Sequence, residues 1–197
     1  MKIIGITGGV GSGKSEILNI LREEYQAEVI MADRVAHELM APGAVSYEGI
    51  LDVFGKEILK EDQTIDRQKL GAIVFADEEK LVKLNKITHG NVDAEILNRM
   101  EKIKAKNPQA LIVIEVALLV GAAYEKIFDQ LWYIFTREEV RFERLKASRG
   151  YSDEKIVQMI KHQKSEEEFK KAATHMIDNS GSLEATREQI GKILGDK

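Results

Sequence analysis

Eight residues near the start of the chain carry the clearest chemistry. Gly8-Gly9-Val10-Gly11-Ser12-Gly13-Lys14-Ser15 satisfies G-x-x-x-x-G-K-[ST], the pattern of a phosphate-cradling loop (P-loop). Each residue type has a physical reason to be there. The glycines let the backbone turn so tightly that successive N–H groups point inward and form a nest for phosphate oxygens. Those N–H groups open a helix, where four donors lack intrahelical partners and the dipole favours an anion. Lys14 would neutralise the β- and γ-phosphates, and the Ser15 hydroxyl would ligate Mg²⁺. A Gly-rich turn that binds nothing is the plainer alternative. The context favours the loop, because an apolar run from Lys2 to Thr7 precedes it and an amphipathic stretch from Glu16 to Tyr25 follows. The expectation is a protein that binds ATP or GTP.

Other chemistry-bearing residues are open to two readings each. Asp33 follows the short apolar run Val29-Ile30-Met31. It could accept a proton from a substrate hydroxyl or cap the helix expected from Arg34 to Met40. Glu115 ends the apolar run Leu111–Glu115, where it could stand near Mg²⁺ or pair with a neighbouring cation. Arg137, Arg141, Arg144 and Arg149 form a cationic cluster, with one-turn spacing between the first three. Such a cluster could close as a lid over a phosphoryl group in transfer, or pair with Glu138, Glu139 and Glu143 on a solvated helix. Lys80, Lys83, Lys86 and His89 recur every three residues. They could grip an anionic substrate or simply form a solvated helix face. Trp132 lies in an expected strand and reads as core.

The elements that must position these groups follow from periodicity and punctuation. Strands are expected at Lys2–Thr7, Val29–Met31, Leu111–Glu115, Gln130–Phe135 and His175–Asp178. The apolar, mostly β-branched run Leu111-Ile112-Val113-Ile114 is the mark of a strand buried on both faces. Pro42-Gly43 stops the helix after Asp33, and Gly55 ends another from Ser46 to Val53. Lys60 to Thr64 is polar and turn-like. From Ile65 to Lys106 apolar residues recur at three and four without a strand, so this stretch reads as an all-helical insertion closed by Asn107-Pro108. Thr136 marks a helix start; Arg137 to Ala173 is charged and helical, interrupted at Gly150 and capped again at Ser152. Strands alternating with helices give a parallel sheet with helices on both faces, and ligands of such sheets bind beyond the carboxyl ends of the strands.

Composition narrows the class. With 44% hydrophobic residues in 197, the chain can bury a real core as one domain or one domain with an insertion. No run approaches twenty apolar residues, so a membrane span is not expected, and neither is a secretory leader. The absence of cysteine excludes disulfides and thiolate metal sites, and four scattered histidines argue against zinc. A net charge of −4 speaks against general nucleic-acid binding. A cytoplasmic enzyme, with a monomer as the simplest state and oligomers left open, is the expectation.

Islands are spread along nearly the whole chain: Ile6 to Ser15, Ala32-Asp33, Pro42-Gly43, Phe54-Gly55, Ile65-Asp66-Arg67, Ile73-Val74-Phe75, Thr88-His89, Leu118-Leu119 and Ile177-Asp178-Asn179-Ser180-Gly181. Together they resemble the dephospho-coenzyme A kinase family. The P-loop is shared with many kinases; the Ala-Asp step and Ile-Asp-Asn-Ser-Gly are more specific. The resemblance implies a three-layer α/β P-loop fold with a five-stranded parallel sheet, an all-helical substrate-binding insertion and a helical lid. The core would cover about 1–58, 107–136 and 173–197, the insertion about 59–106 and the lid about 137–172. It also implies ATP-dependent phosphorylation of the ribose 3′-hydroxyl of dephospho-coenzyme A, with Mg²⁺. By position, Gly9, Gly11, Ser12, Gly13, Lys14 and Ser15, with the N–H of Glu16, would hold the ATP phosphates. Asp33 would be the base, Arg141 and Arg144 would stand in the lid, and Asn179 would lie near adenine. Lys83 and His89 are the insertion's candidates for contact with the acceptor.

Five positions depart from the family pattern. Glu16 stands where the family usually has Thr, a change that a backbone contact tolerates. Met31 replaces the first aspartate of an Asp-Ala-Asp triplet. Gly90 and Ala117 stand where proline is usual, and Glu166 stands where many members carry arginine. The alternatives are a kinase with a different acceptor on the same core, or a nucleotide-binding switch with weak transfer. Retention of Asp33 argues against a switch, which needs no base aimed at an acceptor.

Overall fold

β-Branched runs separated by glycine, proline and charged helices dictate alternating strands and helices, and the computed structural model has that order. It describes residues 1–116 and 126–195, so Ala117, Leu118 and Leu119 lie outside the described residues. Contacts divide the chain into two compact units. One comprises Met1–Ile30 and the described residues from 103 to 195; the other is built from Met31–Lys102.

The first unit holds the sheet. Strands β1 (Lys2–Thr7), β2 (Glu28–Met31), β3 (Leu111–Glu115), β4 (Gln130–Phe135) and β5 (His175–Asp178) form a five-stranded parallel sheet in the order β2-β3-β1-β4-β5. Ile4, Ile6, Ile112, Val113, Ile114, Trp132, Ile134 and Ile177 are buried in it. Burying each such side chain contributes about 1.5–3 kcal/mol, which offsets the entropy of ordering the strands. Register keeps the strand ends level: Ile6 pairs with Glu115, Thr7 with Tyr133, and Phe135 with Asp178. The segments that follow β1, β4 and β5 therefore emerge at one edge of the sheet. Helix α1 (Lys14–Glu24) buries Ile17, Leu18, Ile20 and Leu21, and α9 (Leu183–Leu194) buries Thr186 and Ile190.

Between β4 and β5 the charged segment breaks into three helices, α6 (Glu138–Arg149), α7 (Asp153–Lys161) and α8 (Glu166–Ala172). Gly150 ends α6 in the left-handed region, and the Ser152 hydroxyl caps α7, as the sequence suggests. The second break, at 162–165, comes from a capping box in which Ser165 and Glu168 satisfy each other's backbone N–H groups. Thr136 is not the start of α6. That helix begins at Glu138 with Arg137 as N-cap, and the Thr136 hydroxyl is buried and engaged elsewhere.

The second unit is helical: α2 (Ala32–Leu39), α3 (Val45–Phe54), a 3₁₀ turn (Lys56–Ile58), α4 (Arg67–Phe75) and α5 (Glu78–Lys106). Tyr47, Ile50, Phe54, Ile58, Ile65, Leu70 and Val74 form its core, against which Leu81, Leu84 and Ile87 of α5 pack. The polar turn 60–64 is closed by Lys60 N–H donating to Thr64 C=O and by the bridge Leu59–Ile65. Asp33 is not the cap of α2. The helix starts one residue before it, with Met31 at the N-cap, leaving Asp33 exposed in the first turn. No helix among the described residues is long and apolar enough to cross a membrane.

Gly90 lies in the middle of α5, and a Cβ built there meets no atom within 4 Å. Gly90→Ala should therefore raise stability by about 0.5–1 kcal/mol through reduced unfolded-chain entropy. The check is the urea midpoint followed by far-UV circular dichroism; an unchanged or lower midpoint contradicts it.

Candidate active site

Helices α4, α5, α7, α8 and α9 each have a first-turn donor met by a side chain: Asp66, Asp77, Ser152, Ser165 and Ser182 in turn. Helix α1 does not. Its N-cap is Gly13, at φ +80°, with no side-chain cap, so the start of the helix is open to an external anion.

The loop ahead of α1 is shaped from outside by side chains far along the chain. The Ser12 carbonyl accepts from Asn179 Nδ2 at 2.9 Å and from Thr136 Oγ1 at 2.9 Å. Asn179 is itself held, its Oδ1 accepting from Thr186 Oγ1 at 3.0 Å, and all three side chains are buried. The Val10 carbonyl accepts from Arg141 Nε at 2.9 Å. A trans peptide points its C=O and the next N–H in opposite directions. Fixing the Ser12 and Val10 carbonyls against the surrounding elements thus turns the N–H groups of Gly13 and Gly11 to the other side, the side of the nest. Gly13 is required for a second reason: a Cβ there would lie 2.3 Å from Asn179 Nδ2. Lys14 Nζ arches over the loop, donating to Gly8 C=O at 2.8 Å and Gly9 C=O at 3.3 Å.

Of the four arginines, Arg141 and Arg144 reach this loop, one turn apart on α6. Arg144 Nη2 donates to Asn179 C=O at 2.9 Å, while its Nη1 is buried with no acceptor among the described residues. Ser12 Oγ and Thr7 Oγ1 are buried without partners in the same way. Unsatisfied buried polar atoms are rare and cost about 1–3 kcal/mol each, so their concentration at one loop suits a site that receives oxygens. Burial pulls the Arg141 guanidinium below its usual range against the field of Tyr133 and Glu138, yet arginine stays charged at neutral pH. Arg137 and Arg149 are exposed; Arg137 donates its backbone N–H to Ser180 Oγ. Glu166 pairs with Lys170.

Ser15 and Glu16 are exposed in the first turn of α1. No group of three or more acidic or histidine side chains among the described residues is placed to hold a metal. The Ser15 hydroxyl at the open helix start nevertheless fits Mg²⁺, which takes few protein ligands and completes its shell with phosphates and water.

In the second unit, Asp33 is exposed with no hydrogen-bond partner among the described residues. Its helix is fastened to α5 by Arg99, which bonds Glu38 of α2 and Glu95 of its own helix. Such exposed pairs contribute at most about 1 kcal/mol, so they orient α2 rather than stabilise it. Lys83 and His89 are exposed on α5. A cleft in this unit is lined by His37, Met40, Lys60, Ile65 and Arg67 among others; Lys83 and His89 are not part of its wall.

Sequence reasoning missed Gln163 and Thr186 as parts of the site, and read Thr136, at the ligand-binding edge of the sheet, only as a helix start. None belongs to a local motif, and each acts on a residue distant in the chain or through one that does. Asn179 is marked by the resemblance alone. The structure commits its side-chain amide to Ser12 and Thr186.

The family model for dephospho-CoA kinase matches residues 2–185. The dephospho-CoA kinase of Carboxydothermus hydrogenoformans is 43% identical over 194 residues, covering 98% of this chain and 93% of that protein. The Bacillus cereus enzyme of the same name is 36% identical over 192 residues, with 98% and 95% covered. Among solved structures, a protein from Thermus thermophilus superposes with a TM-score of 0.81 at 29% identity, covering 99% of this chain and 97% of that one. Dephospho-CoA kinase from Campylobacter jejuni gives 0.70 at 28%, with 100% and 97% covered. Shikimate kinase from Acinetobacter baumannii, at 0.57 and 15% identity with 100% and 95% covered, shares the fold alone. With a P-loop shaped in this way and relatives matched over almost their full length, the chain belongs to the dephospho-CoA kinase family.

Proposed function

We propose that this protein transfers the γ-phosphoryl group of ATP to the ribose 3′-hydroxyl of dephospho-coenzyme A, giving coenzyme A and ADP. The observation that carries the nucleotide half is the open, externally braced start of α1, with Lys14, Arg141 and Arg144 around it. Family membership carries the acceptor half.

In this reading the loop amides of Gly9, Gly11, Gly13, Lys14 and Ser15 hold the phosphates, joined by those of Ser12 and Glu16, which also bond Gly9 and Gly13 C=O, and Lys14 and the two arginines stabilise charge on the group in flight. The 3′-oxygen forms its bond to the γ-phosphorus as the bond to the β–γ bridging oxygen breaks, and ADP leaves. Asp33 accepts the hydroxyl proton; an exposed carboxylate not spent on capping or pairing suits that task. Mg²⁺, when bound by Ser15 and phosphate oxygens, supplies further charge neutralisation. Asn179 lies near the adenine end, its buried amide serving the loop. Lys83 and His89, exposed and unpaired among the described residues, contact the acceptor. The helical insertion of about 59–106 serves that acceptor, and the segment of about 137–172 acts as the lid. The proposed setting is the cytoplasm, as a monomer or an oligomer.

The direct test offers dephospho-coenzyme A with Mg-ATP and measures ADP and the 3′-phosphorylated product; ADP formed only with other alcohols would refute the acceptor. Lys14→Ala should lower turnover at least about 100-fold, since it removes a charge aimed at the transferring group. Asp33→Asn should lower kcat by about 10²–10⁴ while ATP binding stays close to wild type. Wild-type turnover in the asparagine variant would remove Asp33 from the role of base.

A further inference from the structure

Gln163 lies in the break between α7 and α8, where the mechanism above gives it no part. Its side-chain Oε1 accepts from Arg141 Nη2 at 2.7 Å and from the backbone N–H of Val10 at 3.2 Å. The same guanidinium reaches the Val10 carbonyl through Nε. These contacts close a small ring of loop, lid arginine and glutamine. They press so near the chain that a Cβ on Gly9 would lie 2.6 Å from both Arg141 Nη2 and Gln163 Oε1.

The chemistry of that point is unusual for a packing contact. A backbone N–H of the phosphate loop and an N–H of a half-buried guanidinium converge on one oxygen. Two such donors are what a phosphate oxygen accepts, and a charged oxygen accepts them more strongly than a neutral amide does. Val10 lies toward the start of the loop, away from Lys14 and Ser15, whose amides open the helix.

We propose that Gln163 is a stand-in for an oxygen of the terminal phosphate of ATP. The γ-phosphate displaces the amide and takes over Val10 N–H and Arg141, whereas ADP leaves the ring intact. Exchange of partners thus couples arrival of a triphosphate to release of the α7–α8 link, and lets the loop tell ATP from ADP. This rests on the ATP-binding half of the proposed function and not on the identity of the acceptor.

Calorimetric titration of the full chain with Mg²⁺ and either a non-hydrolysable ATP analogue or ADP tests it. Gln163→Glu keeps the shape but binds Arg141 with a full charge and repels the phosphate. It should weaken the triphosphate at least about tenfold while ADP holds near its wild-type affinity. Gln163→Ala, which removes the competing oxygen, should bind the triphosphate as tightly as wild type or tighter. Weaker triphosphate binding by Gln163→Ala overturns the proposal, and an equal loss for ADP would make Gln163 an ordinary packing tie. An unchanged triphosphate-to-ADP ratio in Gln163→Glu overturns it as well. If Gln163→Glu fails to fold, Gln163→Met, similar in length without the acceptor oxygen, should reproduce the alanine result, and weaker triphosphate binding by it refutes the idea. Failure of the wild type to bind either nucleotide would instead sink the functional reading itself.

Discussion

The site depends on the orientation of one peptide group. The Ser12 carbonyl receives two hydrogen bonds, from Thr136 after β4 and from Asn179 after β5, and so cannot swing into the nest. Because the peptide is planar and trans, the Gly13 N–H is aimed the other way at no further cost. Everything else at the loop builds on that aim: the uncapped start of α1, the arch of Lys14, and the close passage of Asn179 that only glycine at position 13 allows. The sheet supplies the rigidity. Level strand ends bring Thr136 and Asn179 to the edge where the loop lies, and the buried isoleucines hold the strands in register.

Charge is used sparingly and near cover. Arg141 and Arg144 are both anchored to backbone carbonyls, Val10 and Asn179, so they are held in place without a carboxylate partner among the described residues. An arginine paired with an acid would be neutralised before any phosphate arrived. An arginine held by carbonyls keeps its full charge available, in surroundings where burial strengthens its field. The exposed ion pairs act differently: Arg99–Glu38 ties α5 to α2, while Arg99–Glu95 and Lys170–Glu166 each lie within one helix, all at little gain in stability.

What is legible in the sequence is what is local. The P-loop pattern, the β-branched strands, the break at Gly150 and the cap at Ser152 all depend on neighbours a few residues away, and the structure has each of them. The α/β class and its parallel sheet follow from the order of those elements. The clamps on the loop span 124 and 167 residues, and no spacing rule announces a hydrogen bond that only tertiary folding creates. Thr136 reads as a helix start because its type favours caps, but burial beside the loop outweighs that preference. Asp33 has the residue type to cap α2; the helix begins one residue earlier, which leaves its carboxylate unspent.

The most direct measurement is the affinity of Asn179→Ala for inorganic tripolyphosphate, a ligand with the phosphates of ATP and no base. If Asn179 acts by aiming the Gly13 amide, tripolyphosphate and ATP should both weaken by about tenfold, the scale of one lost hydrogen bond of about 1.4 kcal/mol. Wild-type affinity for tripolyphosphate in that variant would mean that the loop holds its shape without the clamp, and would contradict the role assigned to the Ser12 peptide.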